Sequence, residues 1–158
     1  MLQRPVGKAR ISSKFGMRMH PIHRRRIMHK GIDYAAPSGT PIVAAGDGVI
    51  TFVKSSSRGY GKHIKVKHNS TYSTLYGHMS RFAKGMRSGS KVKQGQVIGY
   101  VGATGGATGP HLHYEVHRNG TQINPIKVTF TKPQKLNNNE MKMFAAQKSE
   151  INKKFNIS

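Results

Sequence analysis

Residues 109–117 read GPHLHYEVH, with three histidines inside seven positions. Side chains alternate between faces along a β-strand. Leu112, Tyr114 and Val116 would therefore share one side, and His111, His113, Glu115 and His117 the other. The first set is what a hydrophobic core requires, and the second makes a polar face. His111 and His113 then stand about 7 Å apart along the backbone and point the same way. Such an H-x-H pair aims two imidazoles at one place, where they can hold a metal or move a proton. The same spacing also occurs on an exposed strand with neither role, and spacing alone leaves these readings open.

The flanking sequence continues the β pattern. Stretches 41–44, 48–54, 63–68, 73–78 and 97–101 are rich in β-branched or aromatic residues and mostly alternate in polarity. Turns such as SSSRGYG, HNST and RNGT separate them. GDGVI and VKQGQVIGYVG read as paired hairpin elements. The Gly/Thr run VGATGGATGP lacks the spacings of a phosphate-binding loop. The first 33 residues show no clean period and read as a loop-rich entry with short strands. Past Pro125 the composition shifts. Asn139 caps an expected helix with Glu140 in its first turn, and Met141, Phe144, Ala145, Lys148 and Ile151 form its apolar stripe. The expected architecture is mainly β: an antiparallel sheet domain over residues 1–128, then a C-terminal extension, 129–158, carrying an amphipathic helix packed on that domain.

Composition narrows the function. The 158 residues suit one domain with a substantial core. There are 27 Lys and Arg against 5 acids, a formal net charge of +22. That surface attracts polyanions: nucleic acid, anionic lipid or an acidic cell-wall polymer. The absence of cysteine excludes disulfides, thiolate metal sites and a cysteine nucleophile, so any metal rests on His and carboxylate. Apolar runs such as PIVAAG are too short to span a membrane. MLQRPVGKAR lacks the apolar stretch of a signal peptide, so a protein working outside the cytoplasm is expected here as a mature fragment or one domain of a longer chain.

Two further segments place histidine beside scarce acid or glycine. In MHKGIDYAAPSGTP, His29 and Asp33 are four apart, but Gly and Pro follow, so a strand end or loop fits better than a helix. In YSTLYGHMS, His78 ends a tyrosine-rich strand and follows Gly77. Together the segments can supply two histidines and one aspartate. That set leaves a coordination position for water on zinc and a net site charge of about +1.

At this point the chain resembles a known family. FGMRMHPI, HKGIDYAAPSGTPIVAAGDG, GYGKHIKVKH, YSTLYGHMS, VKQGQVIGYVGATGGATGPHLHYE and the following NP are similar, in order, to the lysostaphin-type (LytM-like) zinc metallopeptidases of bacterial cell walls. The resemblance implies an antiparallel β fold whose short loops form a substrate groove above the central sheet. It implies Zn2+ as cofactor, with His29, Asp33 and His113 as ligands and His111 and His78 as catalytic residues. Glu115 is then a candidate for orienting a ligand from behind, with an ion pair to a nearby Lys or Arg as the alternative. His20, His23, His63, His68 and His117 carry no site role in this reading, and exposure or groove lining is expected for His63 and His68.

The implied activity is zinc-dependent endopeptidase cleavage of peptidoglycan, in cross-links or stem peptides, in the periplasm or outside the cell. Anionic peptidoglycan is the expected partner and nucleic acid is not, because the charge alone would leave the ordered His/Asp motifs unexplained. A non-catalytic regulator of other wall hydrolases is the alternative. An accessory or inhibitory domain outside this chain is compatible with either.

Overall fold

The computed structural model describes residues 2–7, 9–19 and 26–130. The chain is mainly β. Its strands are β1 (Leu2–Gln3), β2 (Arg10–Ser13), β3 (Gly16–Met19), β4 (Arg26–His29), β5 (Ile32–Ala35), β6 (Pro41–Val43), β7 (Gly48–Lys54) and β8 (Lys62–Lys67). They continue with β9 (Tyr72–Phe82), β10 (Lys91–Val92), β11 (Val97–Val101), β12 (His111–Arg118), β13 (Thr121–Ile123) and β14 (Thr129–Phe130). One 3-10 turn spans Pro125–Lys127. The large sheet runs β10-β7-β8-β9-β12-β5-β2, with β11 joining β6 to β9 and β13 on β12, and its pairings are antiparallel. β3 and β4 form a separate hairpin. β1 and β14 pair in parallel.

Alternation places the core on one side of this sheet. Leu112, Tyr114 and Val116 of β12 are fully buried, beside Ile64 and Val66 of β8, Tyr76 of β9 and Ile32 and Tyr34 of β5. Burying each aliphatic side chain among these contributes about 1.5–3 kcal/mol. Ile42, Ile98 and Val101, on β6 and β11, close the core from beyond. The opposite face of β12 was expected to be polar and is also buried, with Glu115 1% exposed and His117 8%.

Other expectations change in detail. As strands, GDGVI and VKQGQVIGYVG pair at Val92, opposite Gly48, with Gln94 N–H also donating to Asp47 Oδ1 (2.7 Å), while β11 turns to β6 and β9 instead. The loop-rich entry holds short strands at β2–β5. His63 is not exposed: it lies between the rings of Phe52 and Tyr60, at 5.5 and 5.2 Å. The expected C-terminal helix, His20 and His23 lie outside the described residues. Among those described, no helix is long and apolar enough to cross a membrane.

β9 is the longest of the described strands: β8 pairs along one edge, and two partners share the other. Tyr72–Gly77 faces β12, and Met79–Phe82 faces β11. The change falls at His78, whose φ is +61°, and the register against β8 slips there. This is a β-bulge, a device that bends a strand and re-aims a side chain.

His68 is drawn inward by a directional chain of hydrogen bonds. Its Nδ1–H donates to the Asp47 carbonyl (2.7 Å), and its Nε2 accepts from the Thr74 hydroxyl (2.7 Å). Thr74 accepts from the Tyr76 hydroxyl, which accepts from Ala45 N–H (2.9 Å). Burial holds the His68 pKa below its ordinary value, against the opposing pull of the Asp47 carbonyl. A second proton on the ring would break the hydrogen bond that Nε2 accepts from Thr74 and place a charge on a ring drawn in from water. The unfolded chain takes that proton near pH 6.5 and the folded chain only lower, so stability falls as pH drops from about 6.5 toward the folded value. Calorimetric melting from about pH 7.5 to about pH 5.5 is expected to show a smaller loss for His68→Gln than for the parent. Equal slopes would place the effect elsewhere.

Candidate active site

The site is built by strand register. His113 of β12 sits directly opposite Asp33 of β5 on one side and Gly77 of β9 on the other. His29 ends β4, one short turn before β5, so the chain brings it over Asp33 without a helix. One donor atom from each of His29, Asp33 and His113 lies within 4.8 Å of the other two. The individual contacts are His29 Nε2 to Asp33 Oδ2 at 3.4 Å and His113 Nδ1 to Asp33 Oδ1 at 2.9 Å.

The hydrogen bonds determine which ring nitrogen faces inward. His29 Nδ1–H donates to the Lys14 carbonyl (2.8 Å), leaving Nε2 toward Asp33. His113 donates from Nε2–H to Glu115 Oε2 (2.8 Å), leaving Nδ1 toward Asp33. Two imidazole lone pairs and a carboxylate therefore converge, an arrangement that repels itself unless a proton or cation lies among the three. Two nitrogens and one oxygen of this kind are a donor set that suits zinc.

Electrostatics agree with that geometry. Burial works to raise the Asp33 pKa, but the adjoining His113 and His29 rings hold it well below the usual carboxylate range. Glu115 behaves likewise: burial is outweighed by hydrogen bonds from His113, His117 and Tyr60. For His113, burial favours the neutral ring, yet Asp33 and Glu115 on either side raise its pKa to about 9. In the absence of a cation, the proton takes that place.

His111 and His78 complete the cluster, with ring centroids 4.8 Å apart. His111 Nδ1–H donates to the Gly109 carbonyl (2.9 Å), and its Nε2 lies 3.7 Å from Asp33 Oδ1. His78 Nδ1–H donates to the Thr104 carbonyl (2.7 Å), and its main-chain N–H donates to the Tyr60 carbonyl (2.7 Å). Burial, then the nearby charges of His111 and His113, lowers the His78 pKa. Both rings thus present a free Nε2. A cavity of about 320 Å³ bordered by Gly59, Tyr60, His78, Gly106 and His113 adjoins them.

Glu115 meets histidines, and among the described residues it forms no ion pair with Lys or Arg. His117, given no site role from sequence, is buried with its Nε2 2.7 Å from Glu115 Oε1. Tyr60 and Thr104 were not singled out at all. Part of their contribution runs through main-chain carbonyls, which carry no residue signature, and part through the Tyr60 and Thr104 hydroxyls, whose partners lie far along the chain; the flanking glycines of GYG and TGG were the available signal.

Residues 27–125 match the family described as Peptidase family M23. The DD-carboxypeptidase/endopeptidase Mpg of Neisseria meningitidis serogroup B is 48% identical over 146 residues, covering 92% of this chain and 33% of that protein. The chain thus spans about a third of the length of the bacterial relatives it matches. A zinc-containing peptidase from Vibrio cholerae superposes with a TM-score of 0.74 at 35% identity, covering 84% of this chain and 40% of that one. The catalytic domain of lysostaphin from Staphylococcus simulans gives a TM-score of 0.66 at 30% identity, covering 76% and 91%.

The loops 59–61 and 104–106 dock closely enough to require glycine. At Gly105, where φ is +75°, a Cβ would lie 2.3 Å from Gly61 N; at Gly109 it would meet nothing within 4 Å. Gly105→Ala is expected to destabilise the fold by at least about 1 kcal/mol in thermal unfolding. It should also shift the His78 ring resonances in NMR spectra, through displacement of Thr104. Gly109→Ala should stay within about 0.5 kcal/mol of the parent. Equal effects would dismiss the docking argument.

Proposed function

The chain belongs to peptidase family M23, and from that premise we propose that it is a zinc-dependent endopeptidase hydrolysing peptide bonds of bacterial peptidoglycan. The bonds lie in cross-links or stem peptides, and the work is done in the periplasm or outside the cell. The observation that carries this reading is the convergence of His29, Asp33 and His113 beside two histidines with free Nε2 atoms. Mpg, named for DD-carboxypeptidase and endopeptidase activity, supports the substrate class. The net charge of +22 favours retention on an anionic wall polymer. Residues 1–128 form the unit to which the reading applies.

In this mechanism His29 Nε2, an Asp33 oxygen and His113 Nδ1 would hold the zinc. When bound, zinc polarises the scissile carbonyl and lowers the pKa of water. His111 takes the proton from the attacking water at Nε2 and returns it to the leaving amine, because its Nδ1–H is committed to Gly109. His78 has its Nδ1–H on Thr104, so it donates to the developing oxyanion from Nε2 only after that nitrogen takes a proton from solvent, a form that burial disfavours. Glu115 orients the His113 ring from behind. The non-catalytic alternative draws no support from a site in which the three donors and both further histidines stand together.

Digestion of purified sacculi, with fragments identified by mass spectrometry, tests the proposal. The parent should release peptide fragments, lose activity to a chelator and regain it with zinc. His113→Ala should release none. His111→Ala should slow turnover by about 10²–10⁴-fold while zinc stays bound. His78→Ala should cost about 10²–10³-fold. No release by the zinc-loaded parent would reject the enzyme reading, and a fully active His113→Ala would reject the ligand assignment.

A further inference from the structure

His113 differs from the histidines around it in what anchors its ring. His29, His78 and His111 each donate Nδ1–H to a main-chain carbonyl, of Lys14, Thr104 and Gly109. Those carbonyls are fixed by the backbone. Among the described residues, the hydrogen-bond partners of the His113 ring are the side chains of Asp33 and Glu115. The direction of its lone pair therefore depends on a carboxylate that must itself be held still.

Glu115 is held from both ends. It is 1% exposed and lies two residues beyond His113 on the same face of β12. Its Oε2 accepts from the Tyr60 hydroxyl (2.6 Å) and from His113 Nε2–H (2.8 Å). Its Oε1 accepts from His117 Nε2–H (2.7 Å) and from the Gln122 amide (3.4 Å). An ionised carboxylate offers about four acceptor sites, so this one is saturated and has a single orientation. Cross-strand neighbours leave room for the arrangement: small residues, Gly77 and Ser73, stand opposite His113 and His117.

Tyr60 does more than donate one hydrogen bond. Its ring stacks on the His113 ring at 5.5 Å and 30°, and its carbonyl accepts the main-chain N–H of His78. One residue thus touches both the metal-facing ring and the segment that carries a proton-handling one.

We propose that Tyr60 and His117 are positioning residues that clamp Glu115 from its two oxygens, and that this buried clamp fixes the His113 ring for metal binding. The proposal rests on the reading of His113 as a zinc ligand. The ordinary alternative is that the clamp only stabilises the fold, and the two differ in what they predict for metal affinity.

The experiment strips the full chain of metal, then measures zinc affinity by competition with a chromophoric chelator and records the visible spectrum of the Co(II) form. Glu115→Gln should weaken zinc by about 10–100-fold, the usual cost of removing a partner behind a ligand. Tyr60→Phe and His117→Leu should each weaken it by at least about threefold, a fraction of that cost, and shift the Co(II) bands. His117→Gln, which keeps an N–H donor, should recover most of the loss. In a Glu115→Gln background, Tyr60→Phe and His117→Leu should change nothing further, because they act through Glu115.

Parental affinity in both Tyr60→Phe and His117→Leu would overturn the proposal, as would losses undiminished in the Glu115→Gln background. Tyr60→Phe removes a single oxygen, so it keeps the test decisive even if His117→Leu fails to fold. His113→Ala separates the two readings. If it binds zinc as tightly as the parent, the ligand assignment falls and the clamp with it. If it loses zinc while the clamp variants do not, the clamp alone falls.

Discussion

The site depends on the pairing of β12 with β5 and β9, which sets His113 opposite Asp33 and Gly77. The side-chain period of a strand is two, so a slip of one residue would exchange its faces. Leu112, Tyr114 and Val116 would turn toward the cleft, and His113 and Glu115 would turn into the core. The first change removes apolar burial, and the second buries charge among Ile64, Val66 and Tyr76 with no partner. Both penalties oppose the same slip. The hydrophobic face of β12 is thus what aims its polar face, and the geometry of the His29, Asp33 and His113 cluster follows from core packing.

A second layer of placement comes from loops that could not form with ordinary side chains. Gly61 and Gly105 both have positive φ, and a Cβ on either would overlap the other loop. With the loops docked, Thr104 satisfies several groups at once. Its carbonyl takes His78 Nδ1–H, while its hydroxyl accepts Lys62 N–H and donates to the Met79 carbonyl. His78 needs this support, because a left-handed residue that is not glycine costs about 1–2 kcal/mol. The bulge in β9 therefore persists where neighbouring main chain holds it on both sides.

Much of the sheet was legible in the sequence. The stretches 48–54 and 97–101 coincide with β7 and β11, and 111–117 falls one residue short of β12. Alternation of β-branched and aromatic residues suffices where one face is apolar over five or more positions. It fails in β2–β5, where elements are four residues long and basic or small residues interrupt the period. The site was less legible from the residues alone. Alternation put His111, His113, Glu115 and His117 on one face but could not divide them, because the division depends on what stands across the strand. Asp33 opposite His113 is a cross-strand fact with 80 residues between the partners. Family motifs supplied the assignment that local spacing left open. The buried state of His117 and the carbonyls of Tyr60 and Thr104 had no counterpart in either.

Charge gives the arrangement a further consequence. The chain carries 27 cationic side chains and only 5 acids, yet two of those acids, Asp33 and Glu115, sit in one small cluster. The long-range field therefore favours an anionic polymer and opposes a free metal cation. A cation can still be held because the opposing forces act over different distances. The field of the surface charges is screened within about 8 Å at physiological ionic strength, whereas contacts to buried carboxylate are screened far less. The same chain can thus attract polyanion over its whole surface and cation at one point. That combination requires the carboxylates to be both buried and oriented, and burial without the histidine, tyrosine and amide donors around Glu115 would instead have favoured its neutral form.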